Sequence, residues 1–106
     1  MADDPLDALD ALIRSRKGDD PATSYTASLF HKGRAKIAQK VGEEATETVI
    51  AAMQDDANGL TGEAADLLYH LLVLLADAGL SLDDVRAELA RRAGTSGLTE
   101  KANRSK

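Results

Sequence analysis

Residues 62–78 hold six leucines, Leu67, Leu68, Leu71, Leu72, Leu74 and Leu75, at positions that together encircle an α-helix. A helix that is apolar all round has to be surrounded, because each face left to water forfeits its burial. With 106 residues the chain has the length of a single domain. A domain of that size buries only about two-thirds of its unfolded surface, and only one other long helical segment is available to cover the leucines. The expected fold is therefore all-α: a helical bundle completed by dimerisation, with two long antiparallel helices and shorter flanking ones. The alternative is that the short first and last helices suffice as cover. The longest uninterrupted apolar run, Leu71 to Ala76, is six residues against about 20 for a bilayer span, so no membrane partner is expected.

The punctuation of the chain supports helices throughout. Asp4 is placed to cap a first helix, with Pro5 at the first helical position, where its missing N–H costs nothing. Leu6, Leu9, Leu12 and Ile13 share one face, Arg14, Arg16 and Lys17 suit a helix C-terminus, and Gly18 ends it. Residues 18–23 read as a loop. Ser24 caps a short helix over residues 25–32, which Gly33 breaks. The segment from Arg34 to about Asp56 carries Ile37, Val41, Ala45, Thr48 and Ala52 along one stripe, with Gly42 inside it as either a close approach or a tolerated exposed glycine. Asn58-Gly59 signals a turn, and Thr61 is the expected cap of the leucine helix, 62–78, which Gly79 terminates. Ser81-Leu82-Asp83-Asp84 has the form of a capping box ahead of a last helix ending near Gly94. The expected domain is 1–94, followed by a disordered polar tail, 95–106.

Composition narrows the chemistry. The chain has no Cys, which excludes disulfides, thiolate zinc sites and thiol catalysis. Its net charge of -5 argues against a nucleic-acid polymer as partner. The acidic start MADDPLDALD is neither a signal nor a transit peptide, so a cytoplasmic protein is expected.

Glu44 and Glu47 lie three residues apart on one long helix, and Glu63 and Asp66 lie three apart on the next. Residues so spaced share a helix face. Fifteen residues separate Glu47 from Glu63, enough to finish one helix, turn and return antiparallel. Four carboxylates facing each other need cations to stay ionised. A carboxylate set without Cys selects a hard ion, Mg²⁺ with Mn²⁺ as substitute, and Mg²⁺ so held typically serves a phosphorylated substrate. The plain alternative is a pair of solvated acidic helix faces. A di-iron bundle needs Glu three residues before each His, which neither His31 nor His70 has. His70 suits a core hydrogen-bonding role or, less readily, a ligand. Lys32, Arg34, Lys36 and Lys40 lead into the acids, as phosphate contacts or as surface ion pairs such as Lys40 with Glu44. The hydroxyls of Ser24, Tyr25 and Thr26 either meet a ligand or cap a helix.

These motifs together resemble the phosphoribosyl-ATP pyrophosphohydrolase family, within the all-α, MazG-like nucleotide pyrophosphohydrolases. The resemblance is carried by Ser24-Tyr25-Thr26, Lys32-Gly33, Lys36-Ile37, the run from Lys40 to Glu47, the run from Glu63 to His70, and the run from Gly79 to Val85. It implies Mg²⁺-dependent hydrolysis of the α–β phosphoanhydride of 1-(5-phosphoribosyl)-ATP, releasing phosphoribosyl-AMP and pyrophosphate. It matches Glu44, Glu47, Glu63 and Asp66 to metal-binding acids, and Glu43 to a neighbouring acid that, like Glu47, is a candidate catalytic group. Lys36 and Lys40 match basic positions for phosphate, and Lys32 and Tyr25 join them as candidate substrate contacts. A fused cyclohydrolase with Cys-bound zinc, present in some members, is not expected in this Cys-free chain. The competing expectations are a MazG-like enzyme for other nucleoside triphosphates and a non-catalytic helical dimerisation module.

Overall fold

A computed structural model describes residues 4–93, with Gly97, Lys101 and Arg104 beyond them. The expected tail thus lies almost wholly outside the described residues. Five helices run in order: α1 Pro5–Ser15, α2 Tyr25–Lys32, α3 Arg34–Met53, α4 Ala57–Asp77 and α5 Leu82–Arg92, with no strand among the described residues.

The caps sit largely where the sequence places them. The Asp4 carboxylate accepts from the Leu6 N–H at 2.9 Å, and Ser24 Oγ accepts from the Ala27 N–H at 3.1 Å. Gly33, at φ 97°, is both the end of α2 and the start of α3, a backbone state that side-chain-bearing residues resist. The Ser81–Asp84 capping box is formed. Gly42 is exposed, with nothing near enough to meet an added Cβ, so the tolerated-glycine reading holds.

The α3–α4 turn corrects the sequence expectation. Helix α3 ends at Met53, and α4 starts at Ala57, with Asp56 rather than Thr61 as its cap. Asp55 takes the left-handed conformation at φ 54°, and the N–H groups of Asp55 and Asp56 return to the carbonyls of Ala52 and Ala51. That is the helix-ending motif expected of a glycine, here built on an aspartate, which tolerates the conformation better than most residues. The Asp56 carboxylate then accepts from the Gly59 N–H at 2.9 Å, so Asn58-Gly59 lies in the first turn of α4. Thr61 donates back to the Ala57 carbonyl instead of capping. A Cβ on Gly59 would sit 2.2 Å from an Asp56 carboxylate oxygen, which explains the glycine.

Ile13 of α1, Leu29 of α2, Ile37 of α3 and Leu72, Val73 and Ala76 of α4 form the buried core. Each such large side chain stabilises by about 1.5–3 kcal/mol. The core gathers where α1 and α2 cover the first half of α3 and the second half of α4. Lys17, from the basic cluster after α1, donates to the Ala76 carbonyl at 2.9 Å and lies over the Phe30 ring, closing the end of α4. Arg34 pairs with Asp77 beside it.

The other half of the α3–α4 hairpin has less cover. Val49, Ile50 and Met53 on α3, and Leu68 and Leu71 on α4, are exposed, Met53 to 78%. The leucine helix is therefore not enclosed within one chain. At 21 residues, α4 is also long and apolar enough to cross a bilayer by length and composition, which the count of uninterrupted apolar residues misses. It carries Glu63 and Asp66 and supplies half of the buried core, as the central helix of a globular domain does.

Candidate metal centre

The short α3–α4 turn sets the register of the hairpin and brings the two acidic pairs together. Oxygens of Glu44, Glu63 and Asp66 lie within 4.8 Å of one another. Glu47 lies close enough for its carboxylate to act on both Glu44 and Glu63. Burial first, then the Glu47 contact and the Glu47 and Asp66 charges, raises the Glu44 pKa above the usual carboxylate range. Burial and the charges of Glu47 and Glu44 do the same to Glu63. One Glu44 oxygen, Oε2, is buried with no hydrogen-bond partner.

An unpartnered buried carboxylate oxygen is costly. Here it sits in a group of oxygen donors whose mutual repulsion a cation would relieve. The donor set is all carboxylate, the chemistry of a hard divalent ion. The residues present fit such an ion.

Beside the cluster a cleft of about 410 Å³ opens between the two helices. Its walls are Glu47, Ile50 and Ala51 on α3, Gln54 and Asp56 in the turn, and Gly59, Gly62, Glu63 and Asp66 on α4. The acids thus stand at the mouth of a concave space large enough for part of a nucleotide.

The family model described as phosphoribosyl-ATP pyrophosphohydrolase matches residues 6–93. The chain belongs to the phosphoribosyl-ATP pyrophosphohydrolase family. It is 65% identical over 101 residues to a phosphoribosyl-ATP pyrophosphatase of Rhizorhabdus wittichii, covering 95% of each chain. It is 62% identical to one of Azospirillum brasilense, over 91% of this chain and 86% of that one. Across its full length, and 99% of the relative's, it is 54% identical to one of Zymomonas mobilis.

Within this family member the remaining expected site residues separate into two groups. Glu43 is turned aside: Gln39 donates to it at 2.7 Å and Lys40 lies 3.5 Å away. The Gln39 hydrogen bond, then the Lys40 and Lys36 charges, hold its pKa below the usual range, and it is not part of the close carboxylate group. Lys40 therefore pairs with Glu43 rather than Glu44, although its charge still reaches Glu44. Lys36 lies one turn before Lys40 on α3, and Lys32 is exposed at the end of α2.

Tyr25, at the start of α2, reaches His70, one turn along α4 from Asp66. Its hydroxyl meets His70 Nε2 at 3.4 Å, while His70 Nδ1 meets the Asp66 carbonyl at 2.8 Å. A carbonyl only accepts, so Nδ1 carries a hydrogen, and in that tautomer Nε2 accepts from the Tyr25 hydroxyl. With both nitrogens engaged, His70 is a buried hydrogen-bonding residue and not a ligand. Sequence reasoning missed Gln54 as a cleft residue and Asp56 as the cap beside it. The helical spacing Glu47, Ile50, Gln54 was the available signal, obscured by misplacing the turn. It also missed the Thr26–Tyr69 hydroxyl pair that ties α2 to α4, for which no local pattern exists.

Proposed function

We infer that the protein hydrolyses 1-(5-phosphoribosyl)-ATP at the α–β phosphoanhydride, giving phosphoribosyl-AMP and pyrophosphate, the second step of histidine biosynthesis. The observation that carries this reading is the close carboxylate group of Glu44, Glu63 and Asp66 beside the cleft that Glu47 also lines, with one buried Glu44 oxygen unpartnered, in a chain of this family.

Glu44, Glu47, Glu63 and Asp66 are the residues to hold the metal, Mg²⁺ or in its place Mn²⁺. When bound, it neutralises phosphate oxygens and acidifies a coordinated water. Phosphoryl chemistry asks the protein mainly for positioning and charge. Glu47 lines the cleft and its charge acts on both Glu44 and Glu63, so we assign to it the orienting of the attacking water and the acceptance of its proton. Glu43, tied to Gln39 and Lys40, is the weaker candidate for that role and serves instead to fix Lys40. Lys36 and Lys40 face the phosphates of the nucleotide, with Lys32 at the edge, and Tyr25 contacts the substrate. The working form is a cytoplasmic homodimer in which Val49, Ile50, Met53, Leu68 and Leu71 are covered by a second copy. No nucleic-acid polymer or membrane is part of this reading.

The decisive assay is pyrophosphate release from phosphoribosyl-ATP, with Mg²⁺ and with EDTA. Metal-dependent release with phosphoribosyl-AMP as co-product is expected. Absence of release from a protein that Mg²⁺ still stabilises would redirect the site to other nucleoside triphosphates.

A further inference from the structure

Tyr25 is oriented against the usual habit of a surface tyrosine. Such a residue normally buries its ring and sends its hydroxyl to water. Here the residue is 54% exposed, yet its hydroxyl points inward to His70, which is only 6% exposed. One side of the Tyr25 ring lies against Tyr69, with centroids 6.2 Å apart and planes 19° from parallel. His70 stands edge-on to both rings, at 84° and 90°. The Tyr69 hydroxyl is in turn held by Thr26, in the first turn of α2. The polar end of Tyr25 is therefore fixed and its apolar outer side is left to solvent. The network is anchored to the turn of α4 that carries Asp66, through His70 Nδ1 and the Asp66 carbonyl.

A rigid aromatic face held out to water beside a phosphate-handling centre suits one part of a nucleotide, its planar base. Stacking on an aromatic side chain is worth about 5- to 150-fold in affinity. We propose that the outer face of Tyr25 stacks on the purine of the substrate, and that His70 is the positioning residue that holds this ring beside the metal centre. The proposal rests on the phosphoribosyl-ATP reading above and extends it to the base. Tyr69 backs the stacking ring, and Thr26 keeps Tyr69 in place.

The test combines kinetics with ring-proton NMR. Tyr25→Leu is expected to raise KM for phosphoribosyl-ATP by about tenfold, with the loss falling mainly on KM. Tyr25→Phe keeps the ring and loses its anchor, so KM rises only a few-fold. In a His70→Leu background, which has no hydrogen-bonding group at that position, Tyr25→Phe adds nothing further, because the hydroxyl has no anchor left to lose. Tyr25 and Tyr69 are the two tyrosines of the chain, so Tyr25→Phe assigns their NMR signals. Phosphoribosyl-AMP is expected to shift the Tyr25 ring protons upfield, and inorganic tripolyphosphate, which has no base, to leave them in place. An unchanged KM in Tyr25→Leu, or equal shifts with tripolyphosphate, overturns the proposal. So does a changed oligomeric state with KM intact, which would mean that a second copy covers the ring. If the wild type fails to turn over phosphoribosyl-ATP, the underlying reading falls, and the NMR comparison of AMP with tripolyphosphate still decides base stacking by the same signs.

Discussion

Two groups of acidic side chains meet opposite fates in this molecule. Asp4, Asp7 and Asp83, from the starts of α1 and α5, converge on Arg86, whose guanidinium reaches all three. Chiefly through its hydrogen bond to Arg86, Asp7 is held below the usual carboxylate range, and Arg86 is raised in return. Glu44, Glu47, Glu63 and Asp66 converge without any such cation among them, and Glu44 and Glu63 are raised. Both groups join helix segments distant in sequence. The first supplies its own counter-charge and is finished as a structural clamp. The second has no counter-charge of its own among the described residues, and the proposed function assigns that part to a bound metal.

The largest expected effect breaks the second group chemically. Glu47→Gln should lower turnover by about 100-fold or more, the scale of a lost general base, with helicity by circular dichroism unchanged. Turnover retained in that variant with metal bound would remove Glu47 from the proton-transfer role. Next, saturating Mg²⁺ should raise the melting temperature of the wild type. A ligand at about 100 times its Kd contributes about 2.7 kcal/mol to the folded state. Glu44→Gln should lose most of that gain, and at the same time melt higher than the wild type in EDTA, because it removes a partly buried, repelled charge. A Glu44→Gln protein that melts lower in EDTA would mean that the carboxylate has an internal partner.

The smallest effect sharpens the comparison through its sign. Glu44 and Glu63 have folded pKa values above their ordinary 4.5. Their stabilising share is fully present below that ordinary value and lost as pH rises through the raised folded ones. The metal-free advantage of Glu44→Gln should therefore be greatest near neutral pH and vanish towards acid pH. Asp7 is lowered from 3.8, so its share is present above that value and lost as pH falls through the lowered one. Asp7→Asn should melt slightly below wild type near neutral pH and converge with it in acid. The effect is small because the Asp7–Arg86 pair is partly exposed. Parallel pH profiles for the two variants would contradict the opposite roles assigned to the two groups.

Much of the fold was legible because it depends on neighbours in sequence. The caps at Asp4 and Ser24, the break at Gly33, the stop at Gly79 and the Ser81–Asp84 box are local hydrogen bonds, and local residue types report them. The α3–α4 turn was misplaced because Asp55 takes a conformation usually reserved for glycine, and so hides the boundary that Asn58-Gly59 only imitates. The acidic pairs were visible from their spacing. That one oxygen of the half-buried Glu44 is shut away unpartnered, while Glu43 beside it is occupied by Gln39 and Lys40, was not. Adjacent residues on a helix point about 100° apart, so which of two neighbouring glutamates faces the partner helix depends on how the helices are rotated against each other.

The sequence alone therefore settled the all-α class, four of the five helix starts and the identity of the acidic residues, since these follow from periodicity, capping chemistry and motif. Tertiary packing settled the rest: the register that closes Glu44, Glu63 and Asp66 to within 4.8 Å, the neutralisation of one acidic group by Arg86 but not of the other, and the inward turn of the Tyr25 hydroxyl. Each of these depends on where groups distant along the chain come to lie, and electrostatic and hydrogen-bond energies fall off with distance in space, whatever the separation in sequence.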